Sequence, residues 1–274
     1  MLNLLRVEQY KLIKNKVFWV LVSIIVAITF LTVFLFFLEE KGIIEATEDE
    51  GFFVIEANEE ATETLQNDGI SFFVDTILSP DWAMTVLLIT VLGAFMIATE
   101  NSIGTIKNTV SIGYSRHQIY LSKLVVFIIG IIALHLLISV AFGVFGTLFF
   151  GIGDLPSMGE FNLIGKIGLL SSLYFISFAA IVMFFSMIVR GSGVAILLSS
   201  SFYFLFGPFL MFLGQKYILF EKVYHYSVYY RFMTIVGSDL NQAKTLLELI
   251  TIPVITSIVF IILGMLIFKK KDIQ

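Results

Sequence analysis

Long stretches of the chain carry almost no polar residue, and their lengths are those of membrane-crossing helices. Six such runs stand out: Val17–Leu38, Trp82–Thr99, Leu124–Phe150, Ile167–Val189, Gly193–Leu213 and Leu246–Phe268. A helix of about 20 mainly apolar residues spans the hydrocarbon core, where only a helix or a closed barrel satisfies its own backbone hydrogen bonds. Barrel strands would alternate with a period of two; these runs are continuous. The pattern predicts an all-α membrane protein, a single polytopic domain over residues 1–274 with six transmembrane helices. The first run follows a charged stretch, is longer than the apolar core of a signal peptide, and ends in Phe37-Leu38-Glu39-Glu40 without a small-residue cleavage pattern. It reads as a retained helix.

The segments between the runs have patterns of their own. In Met1–Lys16, Leu2, Leu5, Leu12 and Ile13 share one helical face and Arg6, Lys11 and Lys14 lie on the other. This predicts an N-terminal interfacial amphipathic helix, its basic residues near anionic headgroups of the membrane lipid; a plain basic flank is the alternative. Residues 39–81 form an acidic outer segment with Glu45, Glu48, Asp49, Glu50, Glu56, Glu59, Glu60, Glu63 and Asp68. It reads as a solvated loop or as a collector of cationic solutes, and it has no calcium-loop pattern. In residues 100–123, Ile103, Ile106, Val110 and Tyr114 recur at helical spacing up to a break near Gly113, after which Ser115 is placed to cap a helix running into the third span. Residues 214–245 mix charge with Tyr217, Phe220, Tyr224, Tyr226, Tyr229, Tyr230 and Phe232. Such rings favour the membrane boundary, so an outer or re-entrant helix pair is expected there.

Charge then orients the chain. With both termini inside, the inner segments hold eleven Lys and Arg against Glu8, Glu100 and Asp272, and the outer segments hold six against eighteen acids. The sided sums are +8 and −12, which recover the net charge of −4. The bias of basic residues places the N- and C-termini in the cytoplasm. Composition agrees with lipid as the main solvent: 58% of residues are hydrophobic and 14% charged, against about 25% charged in soluble domains, and mean hydropathy is +0.96. With no cysteine there is neither a disulfide framework nor a thiolate metal site, and no metal site is expected.

Within the spans, His135, Ser139, Gly143, Thr147 and Gly151 recur every four residues, as do Thr90, Ala94 and Ala98. Small residues at that spacing let helices approach closely. The other reading makes His135, Ser139 and Thr147 candidates for a translocation path, because a titratable group at membrane depth is a functional candidate. Gly207-Pro208 and Pro253 will bend the fifth and sixth spans. No catalytic residue is predicted. The one Gly-Lys pair, Gly165-Lys166, is followed by Ile167 rather than Ser or Thr, so a nucleotide-binding P-loop is absent, as are H-E-x-x-H and G-x-S-x-G patterns.

Three features together resemble the membrane subunits of ABC-2 type transporters. They are the start Leu4-Leu5-Arg6-Val7-Glu8-Gln9-Tyr10-Lys11-Leu12 before Lys14 and Lys16, the inner segment Glu100…Gly104-Thr105-Ile106-Lys107-Asn108…Gly113-Tyr114-Ser115-Arg116…Tyr120-Leu121-Ser122-Lys123, and the six-span layout. The resemblance implies a permease of the bacterial plasma membrane, driven by a separate ABC ATPase in two copies that binds ATP and Mg. A second permease chain, identical or related, completes the path, and nucleic acid is not a partner. In that family the N-terminal helix and the loop after span two meet the ATPase, which makes Glu8, Lys11, Glu100, Gly104, Lys107, Arg116 and Lys123 the candidate coupling residues. The long acidic outer segment is similar to that of Gram-positive members linked to export of, or immunity to, antimicrobial peptides. That implies outward movement of an amphipathic or cationic peptide or another hydrophobic compound. Two other readings stand beside it: a secondary transporter, which would show discontinuous helices and coupling-ion groups at mid-membrane, and a membrane scaffold or sensor.

Overall fold

The computed structural model describes residues 1–43, 68–78, 82–100, 110–189, 191–235, 237–238, 240 and 242–270. Ten α-helices carry the described chain: α1 (Leu2–Lys14), α2 (Lys16–Glu40), α3 (Gly69–Leu78), α4 (Trp82–Gly93, running on into a π-helical turn over Ala94–Ala98), α5 (Arg116–Phe150), α6 (Met158–Ile188), α7 (Ser192–Gly214), α8 (Ile218–His225), α9 (Val228–Met233) and α10 (Ala243–Lys270). No strand occurs among the described residues. Five of these helices, α2, α5, α6, α7 and α10, are long and apolar enough to cross a membrane, and α3 with α4 makes a sixth if that broken pair is one span. The 35 residues of α5 measure about 52 Å at 1.5 Å per residue, well beyond a hydrocarbon core of about 30 Å. Its added length lies at the start, where Ser115 and Gln118 form a capping box: the Gln118 N–H donates to Ser115 Oγ and the Ser115 N–H to Gln118 Oε1, both at 3.3 Å. Just before it, Gly113 takes a left-handed φ of 99° and follows the helical residues Val110 and Ser111, as glycine does after a helix.

The chain divides into two compact units. The first comprises Met1–Trp19, Trp82–Ile132 and Leu170–Gln274. Small residues set its helix contacts. A Cβ on Gly93 of α4 would fall 2.6 Å from both the Phe127 ring and Val182, so only glycine fits there. Ala94 and Ala98 meet Ala195 of α7, and the Ser200 hydroxyl donates to Thr90 Oγ1 at 3.4 Å. The Thr90–Ala94–Ala98 stripe is therefore a packing seam. In lipid, where apolar burial drives no association, close approach and hydroxyl bonds hold helices together. The same device joins α6 to α10: Ser177 Oγ donates to the Pro253 carbonyl at 2.7 Å and lies 2.9 Å from Ser257 Oγ.

Residues 214–245 contain α8 and α9, a pair of short helices. α8 meets α7 where Gly214 faces the Glu221 backbone, and the Tyr229 ring lies over Gly207. Phe232 of α9 is buried among Tyr174, Phe175 and Phe178 of α6, and Arg231 pairs with Glu248 of α10 at 2.7 Å.

The second unit comprises Val20–Asp81 and Ala133–Leu169. Here the structure departs from a loop over 39–81, since its last part is the helix α3. Asp68 begins α3 by accepting the Ser71 N–H at 2.8 Å. The Gly69 and Ile70 N–H groups donate to the Gly151 and Ile152 carbonyls at 2.9 and 3.1 Å. Gly143, Gly146 and Thr147 of α5 receive Gly69, Phe72 and Phe73 of α3, so the glycine stripe of α5 seats a neighbouring helix. Phenylalanines of α2, α3 and α5 fill the remaining space, with Phe30, Phe37 and Phe72 each against rings of α5. On α2 only the stripe Leu21, Ile25, Thr29 and Val33 is buried. The acidic residues Glu45 to Glu63 lie outside the described residues.

The tightest of these approaches is directly testable. A Cβ on Gly69 would lie 2.7–2.8 Å from the Thr147 backbone, which cannot rotate away. Gly69→Ala will lower stability by about 1–3 kcal/mol or more, the range for overpacking. Gly165→Ala, with nothing within 4 Å of its Cβ, will not. Thermal unfolding of the two variants in detergent, compared with the parent, measures the difference.

Candidate functional site

Helix α1 is anchored on the stripe Leu4, Glu8 and Leu12, one residue per turn, all three buried. Leu12 rests on Gly130 of α5, where a Cβ would stand 3.2 Å from both Leu12 and Leu92. The buried face is thus not Leu2–Leu5–Leu12–Ile13; Leu2 and Ile13 are 74% and 56% exposed. A charged residue occupies the centre of the buried stripe because its partners are waiting there.

Glu8 is 3% exposed and so is Lys123 of α5. Lys123 Nζ donates to both Glu8 oxygens at 3.0 Å and also to Glu100, just past the π turn of α4. Lys11 closes the ring, 2.9 Å from Glu8 and 3.0 Å from Glu100. Two carboxylates and two ammoniums therefore share one neutral cluster. A π turn holds more residues than an α turn, so Ala94–Ala98 shift the face on which the helical residues after them, Glu100 included, are presented. Burial pushes the Glu100 carboxyl up, but Lys123 and Lys11 outweigh it and hold it below the usual range. Burial lowers Lys11, yet Glu100 and Glu8 outweigh it and its ammonium is held above the usual range.

Four of the seven sequence candidates, Glu8, Lys11, Glu100 and Lys123, thus meet at one place. Arg116 lies elsewhere: its Nη1 donates to the Phe268 and Lys269 carbonyls of α10 at 3.2 and 2.8 Å. Gly104 and Lys107 lie outside the described residues. Of the path candidates, His135 is half-buried, the Ser139 hydroxyl donates to the His135 carbonyl at 3.3 Å, and that of Thr147 to the Gly143 carbonyl at 2.7 Å. Sequence reasoning missed that Glu8 faces inward. The available signal was its place midway between Leu4 and Leu12, as the lone acid before Glu39.

The cluster joins α1 to both ends of the segment 101–115, through Glu100 on one side and α5 on the other. The sequence pattern described as ABC-2 family transporter protein matches residues 4–207, a range that contains the whole cluster. The chain belongs to the ABC-2 transporter family. No curated protein matches it. The ABC-2 match ends within α7, so α8, α9, α10 and the carbonyls that hold Arg116 lie beyond it.

Breaking a buried pair leaves a charge without compensation and costs about 3–5 kcal/mol. Lys123→Met will therefore destabilise the protein by that order, and adding Glu8→Gln will recover part of the loss by leaving Lys11 paired with Glu100. Thermal unfolding of the single and double variants tests this. The pH dependence is also set. Because the Glu100 pKa is depressed, its contribution is present above the ordinary carboxylate range and lost as pH falls through the depressed value. Because the Lys11 pKa is raised, its contribution is present below the ordinary lysine range and lost as pH rises through the raised value. Trp19, whose indole donates to the Ile13 carbonyl at 2.7 Å, reports on the end of α1 once Trp82→Phe removes the other tryptophan. Its emission will be flat through neutral pH and change at both extremes.

Proposed function

We propose that this ABC-2 family protein is the permease subunit of an ABC transporter in a bacterial plasma membrane. It moves an amphipathic or antimicrobial peptide, or another hydrophobic compound, outward. The observation that carries the reading is the buried cluster of Glu8, Lys11, Glu100 and Lys123. A segment whose two ends are tied through charges to a third helix is suited to receive a push from another protein and pass it to several spans at once. The push comes from a separate ABC ATPase in two copies, which binds the ATP and Mg that this chain has no P-loop to hold. A second permease chain, identical or related, completes the path. The N-terminal helix lies at the inner surface with both termini in the cytoplasm, and Gly104 and Lys107 belong to the face that meets the ATPase. His135 remains the candidate for a group facing the path.

The proposal is tested by isolating the chain from its native membrane in mild detergent. A stoichiometric P-loop ATPase is expected with it. In the isolated complex, Lys107→Glu will lower ATP turnover severalfold while the permease still inserts and keeps its unfolding temperature. A chain that comes away alone after gentle crosslinking would move the secondary-transporter and scaffold readings ahead, and unchanged turnover would remove Lys107 from the contact.

A further inference from the structure

Helix α10 packs on its neighbours along one face. Only 17% of its most apolar stretch is buried, and its buried residues Leu249, Pro253, Ser257, Gly264 and Phe268 form one narrow line. Near its start, Glu248 pairs with Arg231. In its middle, Ser177 and Ser257 gather at the Pro253 carbonyl, where proline removes a helical hydrogen bond and makes bending easy.

Between these and the far end, the Phe260 ring lies 5.4 Å from that of Phe184 on α6 and 6.3 Å from that of Phe202 on α7, and a further attachment is at the far end, to the first turn of α5. Arg116 donates to the carbonyls of Phe268 and Lys269, groups that the end of a helix leaves without helical partners and that attract a cation. One turn on, Tyr120 is fully buried. Its ring lies 6.4 Å from that of Phe268, and its hydroxyl occupies the space a Cβ on Gly264 would need. Two residues one turn apart on α5 thus grip two turns of α10. The first of them, Arg116, follows directly on the cap Ser115 that ends the segment 101–115.

We propose that Arg116 and Tyr120 form a clamp through which the segment 101–115 moves the C-terminal half of α10 about Pro253. Arg116 is then a positioning residue acting through α10, not a contact to the ATPase; the drive for this motion rests on the permease reading above. The arm from Pro253 to Gly264 is about 16 Å at 1.5 Å per residue, so a small shift of the clamp becomes a bend of the sixth span. The Ser177 hydroxyl holds the pivot.

The absence of cysteine makes the test direct. Spin labels on Ile112→Cys and Lys270→Cys report the clamp in the chain alone, in lipid nanodiscs. One narrow distance distribution is expected. It broadens severalfold in Arg116→Gln and stays narrow in Arg116→Lys, which keeps a cationic donor. Gly264→Ala, which displaces Tyr120 from the α10 side, broadens it independently should Arg116→Gln fail to fold. A distribution unchanged in Arg116→Gln and Gly264→Ala overturns the clamp. A second pair, Lys244→Cys and Lys270→Cys, reports the bend of α10 in the complex with its co-isolated ATPase. Trapping with MgATP and vanadate shifts that distance in the parent and not in Arg116→Gln. An equal shift in both overturns the transmission, as does no shift in the parent. A parent chain that carries no ATPase overturns the permease reading and its drive, while the first pair still decides the clamp.

Discussion

An ammonium taken out of water costs several kcal/mol unless a carboxylate meets it, and the same holds in reverse. Lys123 meets two, one from α1 and one from the end of α4. On α1 the buried residues one turn either side of Glu8 are Leu4 and Leu12, which offer its carboxylate no partner. A leucine at position 8 would bury more comfortably but would accept several rotations of α1. The charge accepts one. Buried ion pairs add little net stability and gain meaning as register devices, and here the register fixes α1 against the helices that flank the segment 101–115.

The remaining contacts follow from lipid being no poorer a solvent for leucine than another helix is. Helices meet where side chains shrink to glycine or alanine, as at Gly93, Gly69 and the Ala94–Ala98–Ala195 seam, and where a hydroxyl reaches a carbonyl, as Ser177 reaches Pro253. Bulk then fills the gaps, mostly with phenylalanine. Stability is spread over many close approaches, while the ion cluster decides one placement.

Much of this was legible in the sequence because water and lipid separate residue types so strongly. The uninterrupted runs mark α2, α5, α6, α7 and α10, and Ser115 as a cap marks the start of α5. The aromatic stretch after α7 carries a helix pair. Other features had no such signal. The helix α3 has ten residues, too few to register as a span, and it follows an acidic stretch that reads as loop. Its neighbours lie on the stripe of Gly143, Thr147 and Gly151, which the sequence marks as a packing face without marking the helix that it seats. The inward face of α1 was hidden because periodicity sorts charges outward, and only the arrival of Lys123 and Glu100 reverses that for Glu8. Arg116 was visible as a charge, but its acceptors are backbone carbonyls, and these are the same at every position of a sequence. Coupling to a partner is the part least expressed in one chain, since half of its contacts belong to another.

The separation of 115 positions from Glu8 to Lys123 also sets an order of events during synthesis. At about 5–20 residues per second, Lys123 follows Glu8 off the ribosome by roughly ten seconds. Over that interval the cluster partner already made beside Glu8 is Lys11, three residues away. The cluster must therefore assemble stepwise, from a local pair to a long-range one, and α1 reaches its final seat only after the third span has begun to emerge.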